Sequence, residues 1–407
     1  MASVLLRPLQ FVAYAIARLW PRNPDRWVFG CWSGRRFGDN AAALFLEVAA
    51  DDAGPRATWI TTRRSIKSEL SERGFDARLR WSPAGLWASL RAGVYLYDGY
   101  TKDINHWTSP GAITVLLRHG VGMKRADRGI DVPTHRLYRL FHGSLRQRLF
   151  WRAVLPWHAV RPDIALATSD EHARQAVEYF GTPRERVLIT GFPRHDALLA
   201  PRAGPVPPDV ARIRSEQAPV FLFMPTFRDG FSRHDFDWDG LERAAAEAGT
   251  VLYVKLHFVD SDRGTAGSSP WGERAALRMV DPTIDPITLY PEVHGLVTDF
   301  SSAAFDFMLL RKPIVYFVPD YDEFLSVRSL YYPFEEVTPG DKCRTLDELV
   351  EALRRAVTDG IGAHADHFDQ LLPRFYAHTD GRSSRRAFEA IRAAIARTGG
   401  RAPAAPT

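Results

Sequence analysis

The chain has little that would tie it down covalently or carry it across a membrane. Its 407 residues include two cysteines, Cys31 and Cys343, far apart and without a CxxC partner. That excludes a disulfide framework and a structural zinc site and fits a reducing compartment. The longest uncharged apolar-rich run lies between Arg7 and Arg18 and is about half the roughly 20 residues that a spanning helix needs. No period of 20 to 50 residues repeats. No HExxH, paired-cysteine or DxD-like cluster marks a metal site, and the DFD at 235–237 reads as loop. Excess positive charge is scarce: 53 basic against 48 acidic residues leave +5, which argues against a dedicated nucleic-acid binder. What is present is ordinary globular composition, 45% hydrophobic, 12% aromatic and 25% charged, in a chain long enough for two or three domains.

The amino terminus places Leu5, Leu9, Val12, Ile16 and Leu19 on one helical face and Arg7, Tyr14 and Arg18 on another. The pattern predicts an amphipathic helix over 1–20 that lies on a membrane or packs on its own domain, with a secretory signal as a third reading. Beyond Pro21, short β-rich runs alternate with helical stretches. RWVFGCW, RATWITT, GVYLYDGY, AITVLLRHG, DIALATSD and RVLITGFP form one series, and PVFLFMPTFRD, TVLYVKLH, LRMVD, HGLVTDFSS and PIVYFVP a second. Buried parallel strands read this way. The expected fold is α/β, two Rossmann-type doubly wound domains facing a central cleft, over 21–200 and 219–397. A Pro, Ala and Arg-rich boundary separates them, an amphipathic helix from Arg382 to Arg397 closes the second, and a disordered tail covers 398–407.

Ligands of such folds sit at the carboxyl ends of the strands, where this chain is unusually polar. After AITVLL comes a loop with His119, Gly120 and Lys124, an imidazole able to take a proton near neutral pH beside glycines that admit a charged ligand. A loop histidine satisfied by backbone is the plain alternative. VTDFSSAAFDF puts Asp299, Ser301 and Ser302 at a helix start, which suits a phosphate, or simple N-capping by one serine. Asp306, on the same helical face, meets ligand hydroxyls or faces solvent. The turns GFPRHD and PTFRD offer Arg194, Thr226 and Arg228, either to phosphate oxygens or to Asp196 and Asp229 as surface salt bridges. Lys255-Leu256-His257 adds a further cationic tip. Together they suit a diphosphate held by cations and a helix dipole.

The order HGxxxK, GFPRHD, PTFRD, KLH, TDFSSAAFD, SLYYPFEEVTPG and TDGRSSRR, from about Trp27 to Ile391, resembles the CDP-glycerol glycerophosphotransferases, the teichoic acid primases and polymerases. The resemblance implies a GT-B-like fold, a CDP-alditol held between two domains, work at the cytoplasmic membrane face, and neither a cofactor nor a required metal. It implies that His119 is the general base, and in the reaction below His257, with Arg194, Arg228 and the serine-bearing helix start, offsets charge on the phosphate oxygens. Arg194, Thr226 and Arg228 match the PRxD and PTWRD turns, and Ser301, Ser302 and Asp306 match the serines at the diphosphate and the aspartate at the alditol. Val280 and Asp281 match, by position, a stretch at the nucleotide. Val121-Gly122-Met123 departs from the family's Thr-Pro-Leu.

The implied reaction is in-line attack by an acceptor hydroxyl on the β-phosphorus of CDP-glycerol or CDP-ribitol, with CMP leaving. The acceptor is a cell-surface polymer, wall or capsule, or its polyprenyl-linked precursor. A nucleotide-sugar glycosyltransferase and a noncatalytic membrane scaffold are the rivals, since fold alone does not fix function. Charge is also unevenly spread. Residues 118–161 hold ten Lys and Arg against two acids, interleaved with aromatics, and residues 1–40 hold six against two. That distribution fits a peripheral protein on an anionic membrane surface.

Overall fold

The computed structural model describes residues 7–135, 137–200, 206–226, 236–256 and 274–397. The chain divides into two compact units. The first comprises the residues up to His119, Ala126–Asp196 and those from Phe375 on; the second comprises Gly120–Arg125 and Ala197–Arg374.

The first unit is built on a seven-stranded sheet of β1 (Asn23–Gly30), β2 (Arg56–Thr61), β3 (Ala77–Leu79), β4 (Ala92–Tyr97), β5 (Ile113–Leu116), β6 (Ile164–Ala167) and β7 (Val187–Ile189), in the order β3-β2-β1-β4-β5-β6-β7. Every pairing is parallel. Strands β4, β5 and β6 are buried along their whole length, as helices on both faces of a parallel sheet require. One face packs Trp27, Phe29, Phe45 and Trp59, and the other Val28, Ile60, Tyr95 and Tyr97. The second unit has six parallel strands, β8 (Val220–Met224), β9 (Val251–Val254), β10 (Leu277–Met279), β11 (Gly295–Thr298), β12 (Ile314–Phe317) and β13 (Asp341–Cys343), ordered β10-β9-β8-β11-β12-β13. In each sheet the order reverses once, between β1 and β4 and between β8 and β11. The crevice beyond the strand ends at such a reversal is where ligands bind.

Three expectations need correction. The edge strands β3 and β13 were not expected; each is three residues long and carries Arg78 or Lys342, too short and too polar for an alternation signal. The second unit begins at Ala197 rather than 219, and helix Pro208–Ser215 belongs to it. The carboxy-terminal helix, Ser383–Arg397, closes the first unit rather than the second. Its Ala387, Phe388 and Ile391 are fully buried in the first core, with Phe388 edge-on to Trp27 at 5.8 Å. The tail at 398–407 lies outside the described residues.

Asp196 fixes that docking. Its two carboxylate oxygens accept from the backbone N–H of Ser383 and Ser384, both at 2.7 Å, satisfying two donors that a helix start leaves open. Gly191 has φ of 76°, and a Cβ there would stand 2.3 Å from the Ser383 hydroxyl. The GFPRHD and TDGRSSRR segments therefore meet for a structural reason. Asp196→Ala should cost about 2 kcal/mol as a lost charged cap. A thermal melt should show the transition lowered by roughly 4–8 °C.

Candidate active site

At the reversal of the first sheet, β1 runs into Trp32 and Ser33, β4 into Asp98, and β5 into Arg118 and His119. Six non-glycine residues among those described have positive φ, and four of them surround this point: Trp32 (45°), Ser33 (55°), Asp39 (62°) and Arg118 (68°). Such backbone persists only where its surroundings over-determine it. Here they do. Asp103, fully enclosed, accepts from the N–H of Ser33, Gly99 and Tyr100 at 2.8, 2.9 and 3.1 Å. Asn40, with no exposure, donates from Nδ2 to the Arg118 carbonyl at 2.8 Å and accepts from the Arg194 N–H at 3.1 Å. Asp39 pairs with the Arg194 guanidinium at 2.6 Å, both side chains about nine-tenths buried. Asp98 accepts from the Ala41 N–H at 3.0 Å, and burial with Asp39 and Asp103 nearby pushes its carboxyl well up.

His119 sits on this frame with its ring 5.4 Å from that of Trp32. The residue is exposed, yet enough protein surrounds the imidazole to disfavour its charge. That packing pulls its pKa below the ordinary 6.5; Arg118 and Arg194 pull it further, while Asp39 and the backbone of Asp98 push it up. The imidazole is therefore neutral near pH 7, as a proton acceptor must be. Activity should rise with pH through a midpoint below 6.5. Asp39→Asn, which tolerates the left-handed backbone, removes a charge that favours the imidazolium and should move this acid limb to lower pH. A kcat/KM profile across pH 4.5–8, a range of about the ordinary histidine window, reads both.

The same organisation recurs in the second unit. Asp299, buried at the end of β11, accepts from the Thr226 N–H at 2.9 Å and its hydroxyl at 2.6 Å, tying the turn after β8 to the turn after β11. Phe300 stacks on Phe324 at 3.9 Å with Phe334 beside it, anchoring the serine turn. The Ser301 hydroxyl accepts from the Ala303 N–H at 3.2 Å, whereas Ser302, at the cap of helix Ala303–Met308, makes no side-chain cap bond. Asp306 is buried, which removes the solvent-facing reading.

The residues named from sequence thus fall into two groups. His119 and Arg194 meet in the first unit. Thr226, Asp299, Ser301, Ser302 and Asp306 belong to the second, as do Gly120 and Lys124. Residues 120–125 pair with the SLYY segment: Lys124 bridges Leu330, and the Tyr331 N–H donates to the Met123 carbonyl at 2.8 Å. Val121 and Met123, the departures from the family pattern, are fully buried. Lys255 is buried and donates to the Pro282 carbonyl at 3.2 Å. Asp281 accepts from the Thr283 N–H and hydroxyl at 2.8 and 2.7 Å, and Val280 is a core side chain. Arg228 and His257 lie outside the described residues. Sequence reasoning did not single out Trp32, Asp39, Asn40, Asp98 and Asp103, although the runs RWVFGCW and GVYLYDGY contain Trp32 and Asp98. Both cysteines are buried, Cys31 pushed well up by burial and three carboxylates and Cys343 up to about 12, so neither suits a nucleophile.

Two parallel-sheet α/β units, each with a polar cluster at its reversal, make a GT-B-like fold. The family model described as CDP-glycerol:poly(glycerophosphate) glycerophosphotransferase matches residues 12–393, and the chain belongs to that family. It is 23% identical over 374 residues to the teichoic acid poly(glycerol phosphate) polymerase of Bacillus spizizenii, covering 87% of this chain and 89% of that one. It is 37% identical over 251 residues to the teichoic acid ribitol-phosphate primase of the same organism, 58% of this chain and 61% of that one. The solved wall teichoic acid polymerase TagF superposes with a TM-score of 0.72 at 19% identity, covering 98% of this chain and 99% of that one, a likeness of fold.

Proposed function

We propose that the chain transfers glycerol phosphate from CDP-glycerol to a hydroxyl of a cell-surface polymer or its lipid-linked precursor, releasing CMP. The observation that carries the chemistry is His119 held neutral on a strained frame at the sheet reversal, within a chain of this family. The acceptor oxygen bonds to the alditol-bearing phosphorus, the anhydride P–O bond breaks, and the acceptor proton passes to His119. The serine turn holds the donor's phosphate oxygens. Ser301→Ala with Ser302→Ala should weaken donor binding, and unchanged affinity would count against a diphosphate there. Ribitol as the alditol is a second reading, favoured by the 37% identity to the ribitol-phosphate primase. CMP release across a panel of CDP-alditols, with product mass analysis, decides between them; UDP release from UDP-sugars would instead support a glycosyltransferase.

We infer further that the protein works peripherally on an anionic membrane surface, at its cytoplasmic face. Among the described residues no helix is long and apolar enough to cross a bilayer. Helix Arg7–Leu19, however, is turned inside out. Tyr14 stacks on His106 at 4.9 Å and Arg7 lies over Trp107 and Trp157, while Leu9, Val12, Ile16 and Leu19 stand exposed, Leu19 by 87%. An apolar face pointing outward suits a membrane interface. Salt-sensitive vesicle binding should be lost on deleting residues 1–20 and neutralising Arg146, Arg148 and Arg152; persistence refutes the reading.

A further inference from the structure

The first unit holds a cluster of cations that the chemistry above leaves unused. Arg128 follows Asp127 on a short turn, Arg148 and Arg152 lie one turn apart on helix Leu145–Val154, and Arg161 precedes β6. The Arg128 guanidinium stands 5.6 Å from the Phe141 ring. A Cβ on Gly181 would meet the Nε atoms of Arg161 and Arg128 at 3.4 and 3.6 Å, so the two stems converge on the end of helix Asp170–Phe180. Burial disfavours the charge of Arg128, and Arg161, Arg152 and Arg148 act on it as like charges, offset in part by Asp127. The helix end accounts for part of this gathering, since its dipole attracts cations.

The neighbouring acids do not neutralise the cluster. Asp127 accepts from the Tyr100 hydroxyl at 3.0 Å and stands 2.9 Å from the His158 ring nitrogen. Glu178 extends over Gly129. Among the described residues none of the four arginines makes an ion pair. Four like charges held together beside one carboxylate are stabilised by a further anion, and guanidinium forks favour phosphate oxygens. The surroundings are apolar and open. The helix that carries Arg148 and Arg152 exposes Leu145, Leu149 and Phe150 by 69, 57 and 60%. Its carboxyl end is tied to the amino-terminal helix, because Arg7 donates to the Val154 carbonyl at 3.1 Å.

We propose that Arg128, Arg148, Arg152 and Arg161 form a seat for the terminal phosphate of a lipid, with Leu145, Leu149 and Phe150 alongside its hydrocarbon. A ligand with a phosphate at one end and hydrocarbon at the other matches both features. The proposal rests on the reading of these helices as membrane-facing.

The test uses the full chain and two vesicle types of equal surface charge in phosphatidylcholine, one carrying phosphatidic acid, whose phosphate is terminal, and one carrying phosphatidylglycerol, whose phosphate is a diester. Arg128→Gln and Arg161→Gln should each weaken binding to phosphatidic acid vesicles about tenfold, the loss of one charged hydrogen bond, and binding to phosphatidylglycerol vesicles less than about twofold. Arg146→Gln, outside the cluster on the same helix, should affect both vesicle types alike and weakly. Equal losses on the two vesicle types, or from Arg146→Gln as from Arg128→Gln, would reduce the cluster to general charge attraction and overturn the proposal. Inorganic diphosphate bound as tightly as the vesicles would make it a free-phosphate site and overturn the lipid. Wild-type preference for phosphatidic acid without any CMP release would sink the proposed reaction and leave the seat standing.

Discussion

Replacing His119 with alanine is expected to lower transfer by 10²–10⁴-fold, the usual worth of a positioned base at about neutral pH, while leaving the affinity for the CDP-alditol nearly unchanged. The separation of the two readouts follows from where the side chain sits. His119 stands on the first unit with Trp32, Asp39 and Arg194 around it, whereas the serine turn and its Thr226–Asp299 junction belong to the second. The imidazole is neutral because packing and two cations disfavour its charged form, so its loss removes a proton acceptor rather than a phosphate contact. Single-turnover CMP release measures the first quantity and calorimetric donor titration the second. Retention of more than about a few per cent of the rate would remove His119 from the role of base, since general base catalysis is worth more than that.

Asn40→Ala is expected to lower kcat on the order of 10²-fold with little change in KM for the donor, although Asn40 need touch no substrate. Its amide group joins two segments that are far apart in sequence, the Arg118 carbonyl immediately before His119 and the Arg194 N–H. Without it, the strained Arg118 backbone loses a restraint, and the imidazole loses the fixed placement that in-line transfer needs. Asn40→Asp separates the two bonds: its oxygens still accept from Arg194, but nothing donates to Arg118. It should be about as slow as the alanine variant if the Arg118 tether is what positions the base. A rise in KM with kcat unchanged would instead make Asn40 part of donor binding.

The strand series, the polar strand ends and the family motifs were all legible in the sequence, because side-chain periodicity and turn chemistry are local. Trp32, Asp39 and Asp103 were not. Their importance lies in backbone angles and in bonds to residues dozens to more than a hundred positions away, which leave no periodic trace. The arginine of GFPRHD shows the limit well. Its spacing suggested either phosphate or the adjacent Asp196, and the structure pairs it with Asp39, leaving Asp196 to cap the helix at Ser383. His257 and Arg228 lie outside the described residues.

By itself, the sequence determined two successive α/β series, a histidine and a pair of serines placed just after strands, and an amphipathic amino terminus. Those properties depend on neighbours a few residues away. Only the tertiary structure decided which sheet the last helix covers, which acid Arg194 meets, and that the apolar face of helix Arg7–Leu19 points outward. Each of these is a choice of partner between segments that meet only when the chain returns on itself. A carboxylate or an apolar stripe carries no record of which surface will reach it first.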